Sequence, residues 1–468
     1  MARSHVRGFC APGLATATRR ACSVGLGLAA HHTAVPLLQS TPSASAFASV
    51  RRLALVVVLT PALALALALA LALALPRPAF AAFAADTDEP PFGVSASASA
   101  PATSATEAPA PASAPVPSTA PEPTPAAAAA AASTPAAPRQ KVVAAPRIAG
   151  RLKAKDLGLV INTDDPYSVA VGAFYKTARK LTDAQVLRVQ IPVRAELSPV
   201  EFALLQSQID KFFGAGTQAL ALAWNQPFAV ACNSITGALA LGFDPALCAQ
   251  SCAPSRVSPY FNSATLRPHT DLKMRPSMLL AAKTVPMAEA MIERGVASDH
   301  TLGWWITPPV HAAYLITSDA ARSTRAALFP PPGPIRSAGV DVYVQRSDVL
   351  SHIDRLLLYQ TGLAAVQSLD TLQWVPGGLG DHLTSYGGRI DGTGGQMSAL
   401  EWIASGATAS YGTVSEPCSH PQKFPHPQIV LLHYIQGASL LEAYWKSVAW
   451  PQQGLFIGEP LAAPFSKR

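Results

Sequence analysis

Leu157-Gly-Leu-Val-Ile-Asn-Thr-Asp-Asp-Pro-Tyr-Ser168 runs from five apolar or small residues into a turn rich in Asn, Asp and Pro. The apolar run Leu157–Ile161 predicts a short buried strand. The Asp and Ser of the turn suit a helix N-cap, because a short side-chain oxygen can accept from the free N–H groups of a first helical turn. A helix is therefore expected from Ser168 to Leu181, with Val169, Phe174 and Ala178 on one side. Val186–Ile191 is the next strand. Ser198-Pro-Val-Glu201 then places Ser at the cap, Pro at the first helical position and Glu at the third, a capping box that opens a helix to Phe213. Gly214 and Gly216 end it, and Gln218–Ala223 is a third strand. Strand, helix, strand, helix, strand at these lengths implies an α/β fold: a mostly parallel sheet with helices on both faces. Ligands of such sheets gather at the carboxyl ends of the strands. The turns Asn162–Tyr167 and Trp224–Phe228 are expected on one rim with the polar motifs further along the chain.

Upstream, the chain changes character. Residues 1–50 form an extension poor in acidic residues, consistent with a true start near Val50. Arg51-Arg52 precedes the apolar run Leu53–Leu75, which Pro76-Arg77-Pro78 closes, and Ala82-Phe83-Ala84 supplies small residues for a cut before Ala85. Basic flank, apolar core and Ala-x-Ala make segment 51–84 a secretory signal. Its core is also long enough to span a bilayer, so an uncleaved inner-membrane signal anchor is the alternative. Either way the domain is placed outside the cytoplasm, periplasmic or secreted. Residues 85–146 are an Ala/Pro/Ser/Thr linker without the apolar content for a core, expected to be disordered and semi-extended. The folded domain is residues 147–468.

The formal net charge is +7, but no long Lys/Arg block exists and part of the charge lies in the leader, so no nucleic-acid partner is implied. Two of the six cysteines, Cys10 and Cys22, precede the signal. Cys232, Cys248, Cys252 and Cys418 remain as disulfide candidates, with three pairings open. Cys248 and Cys252 lack a second Cys/His pair nearby, and nothing in the sequence requires a metal or cofactor.

Beyond Cys232 the alternation of strand and helix is lost until Arg275–Ala282, a strand, and Val285–Gly295, a helix. Ala313–Thr317 and Val340–Gln345 read as strands, a short helix with Arg322 and Arg325 lying between them. Ser351–Tyr359 reads as helical, and Leu372–Val375 as a strand feeding Pro376-Gly-Gly378. Then comes Gly380-Asp-His-Leu-Thr-Ser-Tyr-Gly-Gly388, where an ionisable pair, two hydroxyls and several glycines fall within nine residues. Glycines let backbone approach a ligand closely, and polar groups at a strand end are placed to meet it. Candidate catalytic residues are Asp381, His382, Ser385 and Cys418; candidate ligand-binding residues are Thr384, Gly387 and Gly388. Asp381 and His382 are neighbours on a strand, so their side chains tend to point apart. A metal site from Asp381, His382 and His420 has adequate ligand types but unspecific spacing. Leu440–Val448 is a helix carrying Glu442 and Lys446 at i,i+4, and Gly454–Pro460 a final short strand and turn.

Ser234–Asp244, Arg275–Ala282, Tyr314–Asp319, Asp381–Gly388, Ser398–Trp402, Gly406–Cys418, Glu442–Ser447 and Gly454–Pro460 together resemble a family of uncharacterised exported bacterial proteins. The resemblance runs from about Leu157 to Phe465. More distantly the domain is similar to the gingipain-type cysteine peptidases of caspase-like fold. Those carry a His-Gly histidine at one strand end of an α/β sheet and a nucleophilic Cys at the next. That resemblance implies one of two mappings. In the first, His382 is the base and Cys418 the nucleophile, although Leu383 stands where the peptidases have glycine. In the second, Leu400–Thr413 follows the nucleophile, whose position falls at Thr384 or Ser385 in a lapsed or altered centre. The expected function is the binding of a peptide or cell-envelope polymer at the Asp381–Gly388 rim; the alternative is a cysteine-peptidase-like hydrolase using His382 and Cys418.

Overall fold

The computed structural model describes residues 142–303 and 308–467. The expectations for 1–50, for the signal or anchor at 51–84 and for linker residues 85–141 lie outside the described residues. Among the described residues no helix is long and apolar enough to cross a membrane.

The opening stretch folds as its chemistry dictates. Strand β1 (Leu157–Asn162) is buried along its whole length. Asp165 caps helix α1 (Pro166–Ala178) by accepting from the Tyr167 N–H. The buried stripe of α1 is Ser168, Val171, Gly172 and Tyr175, not the expected Val169, which is exposed. Gly172 sets this rotation: a Cβ there would lie 2.6 Å from Ile161, so only glycine brings the helix this close to β1. Strand β2 (Val186–Val189) follows. After the short β3 (Glu196–Leu197), Ser198 and Glu201 form the capping box that starts α2 (Pro199–Phe212).

The remaining strands are β4 (Ala219–Leu222), β5 (Ala229–Val230), β6 (Asn233–Ser234), β7 (Ser277–Leu279), β8 (Val310–Ile316), β9 (Gly333–Ile335), β10 (Val340–Arg346), β11 (Leu356–Thr361), β12 (Trp374–His382), β13 (Ala409–Thr413) and β14 (Gly454–Gly458). Eleven of the fourteen make one sheet in the order β2-β1-β4-β7-β14-β13-β12-β11-β8-β10-β9; β3, β5 and β6 form a small separate sheet. Further helices are α3 (Ile235–Leu241), α4 (Ala246–Ala249), α5 (Pro268–Leu272), α6 (Val285–Ser298), α7 (Leu400–Ala404), α8 (Pro427–Ile435) and α9 (Leu440–Ser447).

The large sheet consists of two parallel halves. β2, β1, β4, β7 and β14 run one way. β13, β12, β11, β8 and β10 run the other way, joined to the first set by the antiparallel pair β13·β14, and β9 adds an antiparallel edge beyond β10. Counted in chain order within its own half, each set is wound 2-1-3-4-5, and the two fifth strands meet at the centre. This is a mixed, mostly parallel α/β sheet flanked by helices, as the sequence implies. One expectation is overturned: because the halves are antiparallel, the turns after β1 and β4 lie at the opposite end of the sheet from the carboxyl end of β12.

Two further differences have local causes. Ser351–Tyr359 is not a helix; Leu356–Thr361 is the fully buried strand β11, whose continuous apolar run sequence periodicity cannot separate from a buried helix. β12 does not stop at Val375 but continues through Pro376-Gly-Gly378, with Gly378 admitting the Trp374 ring. Helix α6 packs on α1 in the first half and reaches β12 in the second. Glu442 and Lys446 are both fully buried on α9. Glu442 caps that helix and also accepts the Leu152 N–H at 3.0 Å, and the Lys446 ammonium lies 5.1 Å from the Tyr260 ring centre.

Candidate functional site

β8, β11 and β12 end side by side, and their carboxyl ends form the rim that holds most of the sequence candidates. Asp381 and His382 are the last two residues of β12, both fully buried. No hydrogen bond joins them. One Asp381 oxygen is paired with Arg325 Nη1 at 2.5 Å and the other accepts from Gln360 Nε2 at 2.9 Å. Arg325 is equally buried; its Nη2 donates to the Thr361 carbonyl at 2.8 Å, and its guanidinium lies 5.7 Å from the Phe424 ring centre. Burial pushes the Asp381 carboxyl up, while Arg325 and the Gln360 amide draw it back. Two charges this deep hold together because each leaves the other uncompensated if removed.

His382 belongs to a different neighbourhood. Its Nδ1 accepts from the Trp402 indole N–H at 2.9 Å, which puts the proton of the neutral ring on Nε2. Burial first, with Arg325 and Arg322 adding repulsion, lowers its pKa to about 3. At neutral pH it is an uncharged imidazole whose one basic nitrogen is already occupied.

The loop after β12 is braced from inside. Thr384 Oγ1 donates to Gln396 Oε1 at 2.5 Å and accepts from Arg322 Nε at 3.2 Å. The same Gln396 oxygen accepts the Tyr386 N–H, and Arg322 Nη1 holds Asp319 at 2.7 Å. From β13, Thr413 Oγ1 lies within hydrogen-bonding distance of the Thr384 and Ser385 carbonyls. Gly387 and Gly388 are buried against β13: a Cβ on Gly388 would meet the Gly412 carbonyl at 2.6 Å, and one on Gly412 would meet the Gly387 carbon at 2.3 Å. Their lack of a side chain therefore serves backbone packing. Ser385, Tyr386 and Arg389 are half-exposed on the same loop, and Arg389 reaches Glu196 of β3 at 3.3 Å. Next to Glu196, a shallow depression of about 510 Å³ is lined by Arg194–Pro199 and Ala231.

Of the three cysteine pairings left open, the structure shows Cys232–Cys248 and Cys252–Cys418. The second ties the irregular excursion after β6 to the loop after β13. A sulfur in a disulfide carries no thiolate, the species a cysteine nucleophile requires. No hydrogen bond links Cys418 to His382; the Cys418 backbone N–H is held by Glu416 at 2.8 Å. His420 packs edge-on to Trp450, and burial lowers the pKa of His426 to about 4. Among the described residues no three His, Cys, Asp or Glu side chains converge to hold a metal ion.

Arg325, Arg322, Gln396 and Trp402 complete this site but were not singled out from sequence. A signal for the first existed: an Asp ending an apolar strand needs a buried cation, and the short arginine-bearing element after β8 is the nearest source. Comparison with known proteins adds nothing further: no family model, no curated protein and no solved structure matches the chain.

Proposed function

We propose that this is an exported protein whose second half-sheet presents a recognition surface, binding a peptide or cell-envelope polymer along the Asp381–Gly388 rim. The observation that carries this reading is the division of labour in the loop Leu383–Gln396. Its inner side chains, Thr384 and Gln396, are hydrogen-bonded into a fixed frame, while Ser385, Tyr386 and Arg389 stand half-exposed on it. A preformed polar surface with an aromatic and an arginine loses little entropy on binding. The signal-like segment 51–84 and two disulfides support export.

The second reading is a cysteine-peptidase-like hydrolase related to the gingipains and caspases. One observation favours it: β12, ending at His382, and β13, leading towards Cys418, are adjacent and parallel. It requires the Cys252–Cys418 bond to be reduced and His382 to exchange its Trp402 contact for a thiol.

One experiment separates the two. The secreted protein is tested for retention on purified cell-wall sacculi and on a peptide array, beside a Tyr386→Ala/Arg389→Ala variant, and Cys418 is probed with iodoacetamide. Binding that falls about tenfold in the variant, with Cys418 unlabelled, is expected. Undiminished binding sinks the rim reading, and a reactive Cys418 that falls silent in His382→Ala sinks the binding-only reading.

A further inference from the structure

A second concave feature lies away from this rim, where the described chain enters the domain. A cavity of about 660 Å³ opens between the entering segment Ile148–Ala154, the end of α1, the turn after α6 and the C-terminal tail. That volume falls within the range of small-ligand sites. Its wall carries five cationic side chains, Arg151, Lys153, Arg179, Lys180 and Lys467, with Asp299 the one acidic lining residue.

The negative charge nearby is already committed. Arg179 is gripped by Glu459 at 2.5 Å and by Asp299 at 2.7 Å, and Asp299 also takes the Ala463 N–H and faces Arg151 at 3.7 Å. Helices α1 and α6 end here, and each contributes roughly half a negative charge, which accounts for part of the basic lining. Those ends and the two carboxylates together do not balance five cations. Lys153 and Lys180 are exposed, and among the described residues neither side chain forms an ion pair; Asp156 accepts only the Lys153 backbone N–H, at 3.0 Å.

The wall is also preformed. The entering segment is pinned by the Ile148 N–H on Gln436 Oε1 at 3.1 Å and the Leu152 N–H on the buried Glu442 at 3.0 Å. Arg151 stands between these two anchors, so its position costs no ordering when a ligand arrives.

We infer that this cavity binds a ligand carrying two or more closely spaced oxyanion groups, phosphate or carboxylate. Arg151 and Arg179 form its fixed floor, and Lys153, Lys180 and Lys467 its adjustable margin. Lysine supplies point charges that adapt to either oxyanion, so the source is decided by experiment. It is independent of the rim described above.

The test is titration calorimetry of the secreted protein at low ionic strength with tripolyphosphate and, separately, with trigalacturonate. Saturable binding of at least one is expected, weakened about tenfold or more in Lys153→Glu/Lys180→Glu and lost as salt rises. The milder Lys153→Gln/Lys180→Gln variant should fall in between, and Arg389→Ala should bind as the wild type does. Response to tripolyphosphate alone assigns a phosphate ligand, and to trigalacturonate alone a carboxylate polymer. If neither binds, or if binding survives the double charge reversal, the inference is wrong.

Discussion

Arg325 and Asp381 meet at 2.5 Å beneath the rim, with both side chains withdrawn from water. The pair ties the short helix after β8 to the end of β12, so it fixes the floor on which the rim loop rests. Removing one partner strands the other. Asp381→Ala is expected to lower unfolding free energy by about 3–5 kcal/mol. The double change Arg325→Met/Asp381→Leu should recover most of that loss. Urea denaturation of the wild type and the two variants checks both statements, and equal losses in the single and double variants would contradict them.

His382 makes stability depend on pH in a definite sense. Its folded pKa is lowered to about 3 by burial, against about 6.5 in an unfolded chain. The unfolded state therefore takes up a proton over a range where the folded state does not. Stability is full above about pH 6.5 and falls as pH drops towards 3. His382 alone removes about 2 kcal/mol between pH 7 and pH 5, and His426 and His433, both lowered to about 4 by burial, act in the same direction. His382→Asn leaves an amide oxygen for the Trp402 indole, and the slope of the urea midpoint against pH should flatten in that variant.

The glycines of the rim divide into two kinds. A methyl group on Gly412 would press on the Gly387 backbone at 2.3 Å, so Gly412→Ala should cost about 3 kcal/mol and displace the rim loop. Gly392 has φ +80° with nothing within 4 Å of an added Cβ; Gly392→Ala should cost only about 1–2 kcal/mol and leave the rim in place. Thermal unfolding measures the stability terms, and ligand retention by the two variants reports the loop.

The disulfides give a chemical prediction. Mapping without reductant should recover Cys232–Cys248 and Cys252–Cys418 as linked peptides. Cys252→Ser opens a closure spanning 166 residues and should cost about 2–5 kcal/mol. Peptides that join Cys248 to Cys252 would refute the pairing.

Much of this was legible from local chemistry. Ser198 and Glu201 announced α2, Asp165 announced α1, and the buried apolar runs of β1 and β4 announced a parallel sheet. These signals act over a few residues. The direction of β14 is different in kind: five buried residues at the end of the chain look the same whether they extend an edge or enter the centre. Gly454 and Gly458 carried the missing information, since a Cβ at either would strike Tyr411 or Ala409 of the neighbouring strand. Such meanings appear only once the neighbour is known. Likewise strand alternation told that Asp381 and His382 point apart, but not that one would meet Arg325 and the other Trp402. The cysteines permitted three pairings, and only the packing of the excursion after β6 chose among them.

The central position of β14 also bears on the order of assembly. Every other strand of both halves has been synthesised before residues 454–458, yet these five residues supply the seam between the halves. A nascent chain can gather two partial sheets, but β7 and β13 keep unpaired inner edges until the last strand arrives. Closure of the sheet thus waits on β14, and until it docks the two halves share no strand-to-strand pairing.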